Sequence, residues 1–111
     1  MKRDYQDYLR DMLDNAQKAL EFVHGMEYDE FFEDQKSVYA VVRALEIIGE
    51  AARQVPEDVR ADHPGLAWRE IGGMRNKLSH EYFGVNIKVV WRTVQDDLPP
   101  MIPALRKMLE S

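Results

Sequence analysis

Apolar residues recur at every third or fourth position along the first part of the chain. This stripe consists of Tyr5, Tyr8, Leu9, Met12, Leu13, Ala16, Leu20 and Val23. Because the spacing matches the turn of an α-helix, it predicts an amphipathic helix from about Asp4 to His24. Gly25 follows and is expected to end the helix, since glycine adopts the left-handed conformation common after helix ends.

The same spacing returns after an acidic connector that runs through Asp34. The second stripe consists of Val38, Val41, Val42, Leu45, Ile48, Ala52 and Val55. It predicts a second helix, which Pro56 stops because proline cannot continue the hydrogen-bond ladder. Residues 57–66 contain Pro64 and Gly65 and lack a long apolar pattern, so we expect a connector there with one short turn.

A third helix is predicted from about Ala67 to Tyr82. Gly72 and Gly73 lie in its interior, where each costs about 1 kcal/mol relative to alanine. A close backbone approach to another helix would offset this cost, and we expect one at these glycines.

The C-terminal quarter contains one further helical pattern that prolines interrupt. Its apolar positions are Ile87, Val90, Trp91, Val94 and Leu98, then Met101, Ile102, Leu105, Met108 and Leu109, and the prolines are Pro99, Pro100 and Pro103. A kink or a short additional helix is expected at the prolines. The chain shows no alternating strand pattern, so it is predicted to be all-α: an up-and-down bundle of four main helices with a kinked or short fifth C-terminal helix.

Length and composition narrow the class of protein. A chain of 111 residues suits one hydrophobic core, so residues 1–111 are predicted to form a single domain. No apolar run approaches the roughly 18 residues that span a bilayer, and the N-terminus lacks a secretory pattern. Cysteine is absent from the sequence, which excludes disulfides and thiolate catalysis. These features predict a cytoplasmic protein with no membrane contact.

The net charge of −5 argues against a protein that coats itself with nucleic acid. Most of the excess is local, because residues 26–36 contain five acids and one base. Arg69, Arg75 and Lys77 form a basic cluster elsewhere, so RNA is not excluded as a substrate.

Motif searches remove several kinds of chemistry. His24, His63 and His80 are scattered without metal-ligand spacing, so no metal is predicted. Gly72–Gly73 lacks the pattern of a phosphate-binding loop, no cofactor motif is found, and no serine lies in a nucleophile-elbow setting.

The segment from Arg75 to Tyr82, RNKLSHEY, holds the remaining chemistry. A histidine moves protons near neutral pH, and an arginine holds phosphate and stabilises charge on its oxygens. RNA supplies its own nucleophile in the 2′-hydroxyl. Asn76 and His80 are four residues apart on one helical face, so Asn76 could orient the imidazole.

On a regular helix, the two strongest candidates for catalytic residues, Arg75 and His80, point in different directions. Arg75 and His80 are five residues apart, roughly 140° around a straight helix. Either the helix loosens near Ser79, or the groups meet in a cleft completed by a second copy of the chain. The competing interpretation is a solvated face of charged residues beside core positions, and spacing alone does not decide between them.

Other conspicuous residues have simpler interpretations. Arg43, Glu46 and Glu50 fit an intrahelical ion-pair ladder, although Glu46 or Glu50 could instead hold Arg75. Trp68 and Trp91 are predicted to be core or interface anchors. His24 and His63 are expected near helix ends in solvated or capping roles, and the methionines as core residues.

The segment RNKLSHEYF, with WREIGGM before it and VNIKVVWRTVQDDLP after it, resembles the HepT-like branch of the HEPN domain proteins. The family pattern is R-N-x-L-x-H-x-Y, followed by a helix that ends in D-L-P. The second-helix segment RALEIIGEAA is also similar, so the resemblance covers residues from about Tyr5 to Leu105.

This resemblance implies a helical homodimer whose paired R-x-x-x-x-H motifs cleave RNA without metal. Arg75 and His80 would be the catalytic pair, with Asn76 in a supporting role. Such proteins are similar to toxins whose antitoxin is a minimal nucleotidyltransferase that adenylylates the motif tyrosine, here Tyr82. Glu81 places an acid inside the proposed phosphate site, where it would tune His80 or weaken RNA binding. The alternative is a non-catalytic module that binds a nucleotidyltransferase, a nucleotide or RNA.

Overall fold

The computed structural model describes residues 3–74 and 86–110. Its helices are α1 (Tyr5–Phe22), α2 (Tyr28–Glu33), α3 (Gln35–Gln54), α4 (Glu57–Asp62), α5 (Trp68–Gly72), α6 (Ile87–Arg92), a π-helical segment (Thr93–Asp97) and α7 (Leu98–Glu110). These two ranges contain helices and connecting turns without a strand, which confirms the all-α prediction. None of these helices is long and apolar enough to cross a membrane.

Helix α1 begins and ends at the residues that its local chemistry favours. The Asp4 carboxylate accepts a hydrogen bond from the Gln6 N–H at 3.2 Å, and the Asp7 carboxylate accepts one from the Asp4 N–H at 3.0 Å. This reciprocal capping satisfies amide groups that have no partner within the helix. Gly25 follows the helix with φ of 79°, the left-handed conformation that was expected there.

The two ends of helix α3 are also set by local interactions. The Asp34 carboxylate caps its first turn by accepting hydrogen bonds from the Ser37 N–H at 3.3 Å and the Ser37 hydroxyl at 2.8 Å. The helix ends at Gln54, and Val55 is extended with ψ of 129°, as the residue before Pro56 must be. The second predicted helix is therefore confirmed.

The core lies where α1 packs against α3 and α7. Its fully buried side chains include Leu9, Met12, Ala16, Phe31, Val41, Leu45, Ile48, Val94, Leu98 and Leu105. In the described part of the chain, no polar or charged residue is buried. The apolar stripes of the long helices thus form the centre of the bundle.

Two connectors contain more helix than the sequence pattern indicates. Residues 57–66 hold the six-residue helix α4, and the acidic connector before α3 holds α2. Helix α2 is anchored by Phe31, which is fully buried and whose ring centre lies 5.2 Å from the centre of the Trp91 ring. A six-residue helix is too short to show a repeating stripe, so its stability depends on this contact between distant parts of the chain.

The interruption expected at the C-terminal prolines takes the form of a π-helical segment. The backbone is right-handed helical at Thr93 and at Leu98, so α6, the π segment and α7 form one continuous run. Pro99 and Pro100 lack an N–H group, and in a regular helix their rings would meet the carbonyls four residues earlier. The wider π turn directly before them relieves that conflict, and Pro103 is accommodated inside α7.

Candidate functional site

The predicted site residues Arg75, Asn76, His80 and Tyr82, together with Glu81, lie outside the described residues. Their roles therefore stay predictions. The structure describes the two ends between which the chain places them, Met74 after α5 and Asn86 before α6, and the surroundings of those ends.

The N-terminal end is fixed by Trp68. This side chain is 8% exposed, and its indole N–H donates to the backbone carbonyl of His63 at 2.8 Å. Ile71, one turn later, is also buried, and α5 packs against α3. The anchor role predicted for Trp68 is confirmed, and His63 follows α4 as the residue at its C-terminal end.

Gly72 makes the close approach expected of the glycine pair. A Cβ atom on Gly72 would lie 3.0 Å from Cγ of Arg53, in the last turn of α3. The neighbour is thus a side chain of another helix and not a helix backbone. At Gly73 an added Cβ would meet carbonyls of the preceding turn of the same helix, that of Arg69 at 3.4 Å and that of Glu70 at 3.8 Å. The expectation therefore holds for Gly72 alone.

The C-terminal end is fixed by an aromatic cluster on α2 and α6. The centre of the Trp91 ring lies 5.2 Å from the centre of the Phe31 ring and 6.0 Å from the centre of the Tyr28 ring. Lys88 Nζ lies 5.9 Å from the centre of the Tyr28 ring. Trp91 is therefore a packing anchor, as predicted, while the part played by α2 in holding α6 was not foreseen.

The N-terminal end of the segment, at Met74, borders a groove of about 640 Å³, which we call the α5–π groove. Residues of the π segment and of the first turn of α7 also line it. Its apolar residues include Leu66, Ile71, Met74 and Met101, and its acidic residues are Glu70, Asp96 and Asp97. Among the described residues that line the groove, none is basic. The acids come from α5 and the π segment, which are far apart in sequence, so the sequence pattern gave no sign of the cluster.

A second hollow of about 440 Å³ lies between α1 and α3 and is more polar. Arg3 forms an ion pair with Asp11 at 2.9 Å and lies 4.7 Å from the centre of the Tyr8 ring. The predicted pair between Arg43 and Glu46 is present at 3.7 Å, but the Arg43 side chain is 71% exposed. Such a pair contributes a few tenths of a kcal/mol at most, about the scale of exposed helix pairs.

Glu50 lines the same hollow. Contact of Glu46 or Glu50 with Arg75 stays a prediction, because Arg75 lies outside the described residues. Within residues 3–74 and 86–110, no three histidine, aspartate or glutamate side chains are grouped closely enough to hold a metal ion.

Comparison with known proteins identifies a family over most of the chain. A family model described as "Ribonuclease HepT-like" matches residues 12–108. A protein of Thermococcus cleftensis named "Probable ribonuclease HepT" is 43% identical over 108 residues, which cover 97% of this chain and 98% of that protein.

Two further relatives have similar names. A putative RNase of Methanocaldococcus jannaschii is 39% identical over 98% of this chain and 90% of its own length. A putative RNase of Caldanaerobacter subterraneus is 39% identical over 93% of this chain and 92% of its own length. No solved structure matches the chain.

Proposed function

The chain belongs to the HepT-like ribonuclease family, and we propose on that basis that it is an endoribonuclease with Arg75 and His80 as its catalytic pair. The family match over residues 12–108 is the observation that supports this function, because it includes the whole segment from Arg75 to Tyr82. The relatives named as ribonucleases are matched over nearly their full length. The proposal therefore rests on similarity along most of the chain and not on an isolated motif.

The proposed reaction uses the 2′-hydroxyl of RNA as its nucleophile. His80 accepts the 2′-hydroxyl proton, the 2′-oxygen bonds to phosphorus, and the bond from phosphorus to the 5′-oxygen breaks. An imidazolium returns a proton to the leaving 5′-oxygen, so the products are a 2′,3′-cyclic phosphate and a 5′-hydroxyl. Arg75 binds the phosphate and stabilises the charge that develops on its oxygens. Asn76 orients His80, and no metal is needed.

The site is proposed to form between two copies of the chain. On a straight helix Arg75 and His80 face directions roughly 140° apart, which is a poor arrangement within one copy. Two copies related by a twofold axis would present both motifs to one cleft. The two His80 side chains could then divide the tasks of accepting and returning the proton.

We further propose that the protein is the toxin of a toxin–antitoxin pair. Its antitoxin would be a minimal nucleotidyltransferase that inhibits it by adenylylating Tyr82. The support is the family resemblance together with the tyrosine at the last position of the R-N-x-L-x-H-x-Y pattern. An adenylyl group on Tyr82 adds a phosphate two residues after His80 in sequence, where negative charge would repel RNA.

The nuclease proposal is tested by replacing His80 with alanine. Cleavage of a labelled RNA should fall at least about a hundredfold, the usual contribution of general acid–base catalysis, while the helical circular dichroism stays unchanged. His24→Ala is the matched control, because His24 is exposed after α1. Cleavage that persists in purified His80→Ala, or that falls equally in His24→Ala, would refute the assignment.

The modification is tested by intact-mass measurement after co-expression with a nucleotidyltransferase. Adenylyl adducts should appear on the natural chain and disappear in Tyr82→Phe. Tyr39→Phe is the matched control, since Tyr39 is 62% exposed and should leave the adducts in place. Adducts that remain in Tyr82→Phe would place the modification on another residue.

A non-catalytic interaction module is the second candidate. The net charge of −5 and the carboxylates of the α5–π groove favour it, because they oppose binding of a polyanion. Purified protein with unmodified Tyr82 that binds a nucleotidyltransferase tightly and cleaves no RNA would support this function over the nuclease.

A further inference from the structure

We propose that the α5–π groove binds a basic amphipathic segment of a partner protein. This inference goes beyond the nuclease proposal and does not depend on whether Arg75 and His80 cleave RNA. It is based on three properties of the groove: its apolar floor, its acidic rim and its position in the chain.

The floor of the groove suits apolar side chains of a partner. Leu66, Ile71 and Met101 line the groove and are 8%, 6% and 3% exposed, respectively. Met74 also lines it and is half-buried. The volume of about 640 Å³ lies within the usual range for a binding pocket. Leucine or methionine side chains at helical spacing could enter such a groove, which is a common mode of peptide recognition.

The rim of the groove determines the charge of the partner. Glu70 on α5 and Asp96 and Asp97 of the π segment line the groove, and all three residues are exposed. None of the described lining residues is basic, so the described part of the groove carries a net negative charge. A partner that brings lysine or arginine beside its apolar side chains would supply the opposite charge. The same carboxylates repel RNA phosphates, so the rim favours a protein over a nucleic acid.

The π segment lies directly before Pro99 and Pro100, and it contributes two of the acids that line the groove, Asp96 and Asp97. π-Helical segments are frequent at functional sites. Met74 also lines the groove, and it directly precedes Arg75 in the sequence. An occupant of the groove would therefore lie beside the start of the candidate catalytic segment.

The test uses a synthetic helix-forming peptide with leucines at every third or fourth position and lysines between them. Protein labelled with ¹³C at the methionine methyl groups reports where the peptide binds. Met74 and Met101 line the groove and should shift in a saturable manner, whereas Met12, a fully buried residue of α1, should not. A peptide with glutamate in place of lysine should leave all three methyl groups unchanged.

Neutralising the rim measures its contribution to affinity. The triple variant Glu70→Gln, Asp96→Asn, Asp97→Asn should weaken peptide binding roughly tenfold, the combined scale of three exposed charge contacts, and should reduce its salt dependence.

A matched triple variant removes the same charge elsewhere. Glu21→Gln, Asp29→Asn and Glu33→Gln change exposed acids on α1 and α2 and should leave the affinity within about twofold. Equal weakening in both triple variants would mean that net charge alone binds the peptide, which would overturn the proposal.

Three other results would also overturn it. The first is tight peptide binding without a shift of Met74 and Met101. The second is a shift of the same two methyl groups by a short RNA, which would assign the groove to nucleic acid. The third is a shift of both on diluting the protein alone, which would assign the groove to a second copy of the chain.

Discussion

Replacing Phe31 by alanine should destabilise the domain more than any other alanine substitution in α2. Phe31 is fully buried and its ring contacts Trp91, so it joins α2 to α6, the helix that follows the candidate catalytic segment. A buried phenylalanine removes roughly 150–200 Å² of apolar surface from water, which corresponds to about 4–5 kcal/mol. This is an upper limit, because the unfolded chain already buries part of that surface.

The measured loss should therefore be about 3–4 kcal/mol, within the range found for phenylalanine-to-alanine changes in protein cores. A domain of this size has a free energy of unfolding of about 5–15 kcal/mol, so the variant should still fold at 25 °C. Urea denaturation followed by circular dichroism gives the free energy directly, and tryptophan fluorescence reports on Trp91 together with Trp68.

Phe32→Ala is the matched control for this measurement. Phe32 is the next residue of the same helix and is 46% exposed, so its removal should cost less than about 1 kcal/mol. Both variants make the same chemical change in α2, and helix propensity cancels between them. A loss in Phe31→Ala no larger than that in Phe32→Ala would refute the view that this contact holds α2 on the bundle.

Two further stability changes follow from single contacts. Trp68→Phe should cost about 1–2 kcal/mol, because it removes a hydrogen bond at a part-buried carbonyl along with some apolar area; urea denaturation that shows no loss would contradict this. The pKa of Asp34 is held below its ordinary value of 3.8, first by the hydrogen bond from the Ser37 hydroxyl and next by that from the Ser37 N–H. A carboxylate whose pKa is lowered by folding stabilises the folded protein at pH values above its pKa in the unfolded chain, and this stabilisation is lost as the pH falls through its pKa in the folded protein. The natural protein should therefore keep its stability advantage over Asp34→Asn down to about pH 4 and lose it only below that pH. The urea midpoints of the two proteins, measured between pH 7 and pH 3, check this, because the effects of all other acids are the same in both. An advantage that has already disappeared at pH 5 would contradict it.

The long helices could be predicted because their determinants are local. The stripes of α1 and α3 repeat over several turns, and their ends are marked by residues with one dominant effect, Gly25 and Pro56. Trp68 and Trp91 could be recognised as anchors for the same reason, since each lies on an apolar stripe.

The features that the sequence did not reveal depend on contacts between distant residues. Helix α2 requires Trp91 to cover Phe31, and no window of a few residues contains both. The π segment is a change of hydrogen-bond register directly before Pro99 and Pro100, whereas the sequence pattern predicts only that the helix is interrupted there.

For the candidate site, too, local features could be predicted from the sequence, whereas features that depend on distant contacts could not. Residue types and spacing within Arg75–Tyr82 were sufficient to propose acid–base and phosphate-binding roles, because those roles follow from side-chain chemistry. The geometry between them depends on tertiary and quaternary contacts that spacing cannot supply. The acids of the α5–π groove were missed because they meet only in the folded chain.

The distribution of charge limits how this protein could hold RNA. Exposed acids cover α2, and carboxylates line the α5–π groove next to Met74, so neither surface can take a phosphate backbone. The basic residues near the candidate segment in sequence are few, chiefly Arg69, Arg75, Lys77 and Lys88. Each phosphate contact contributes about one unit to the slope of affinity against salt, so binding by so few contacts gives a shallow slope. RNA cleavage by this chain would then depend on a small local site, and its affinity for RNA would be weak unless a second copy doubles the number of basic contacts.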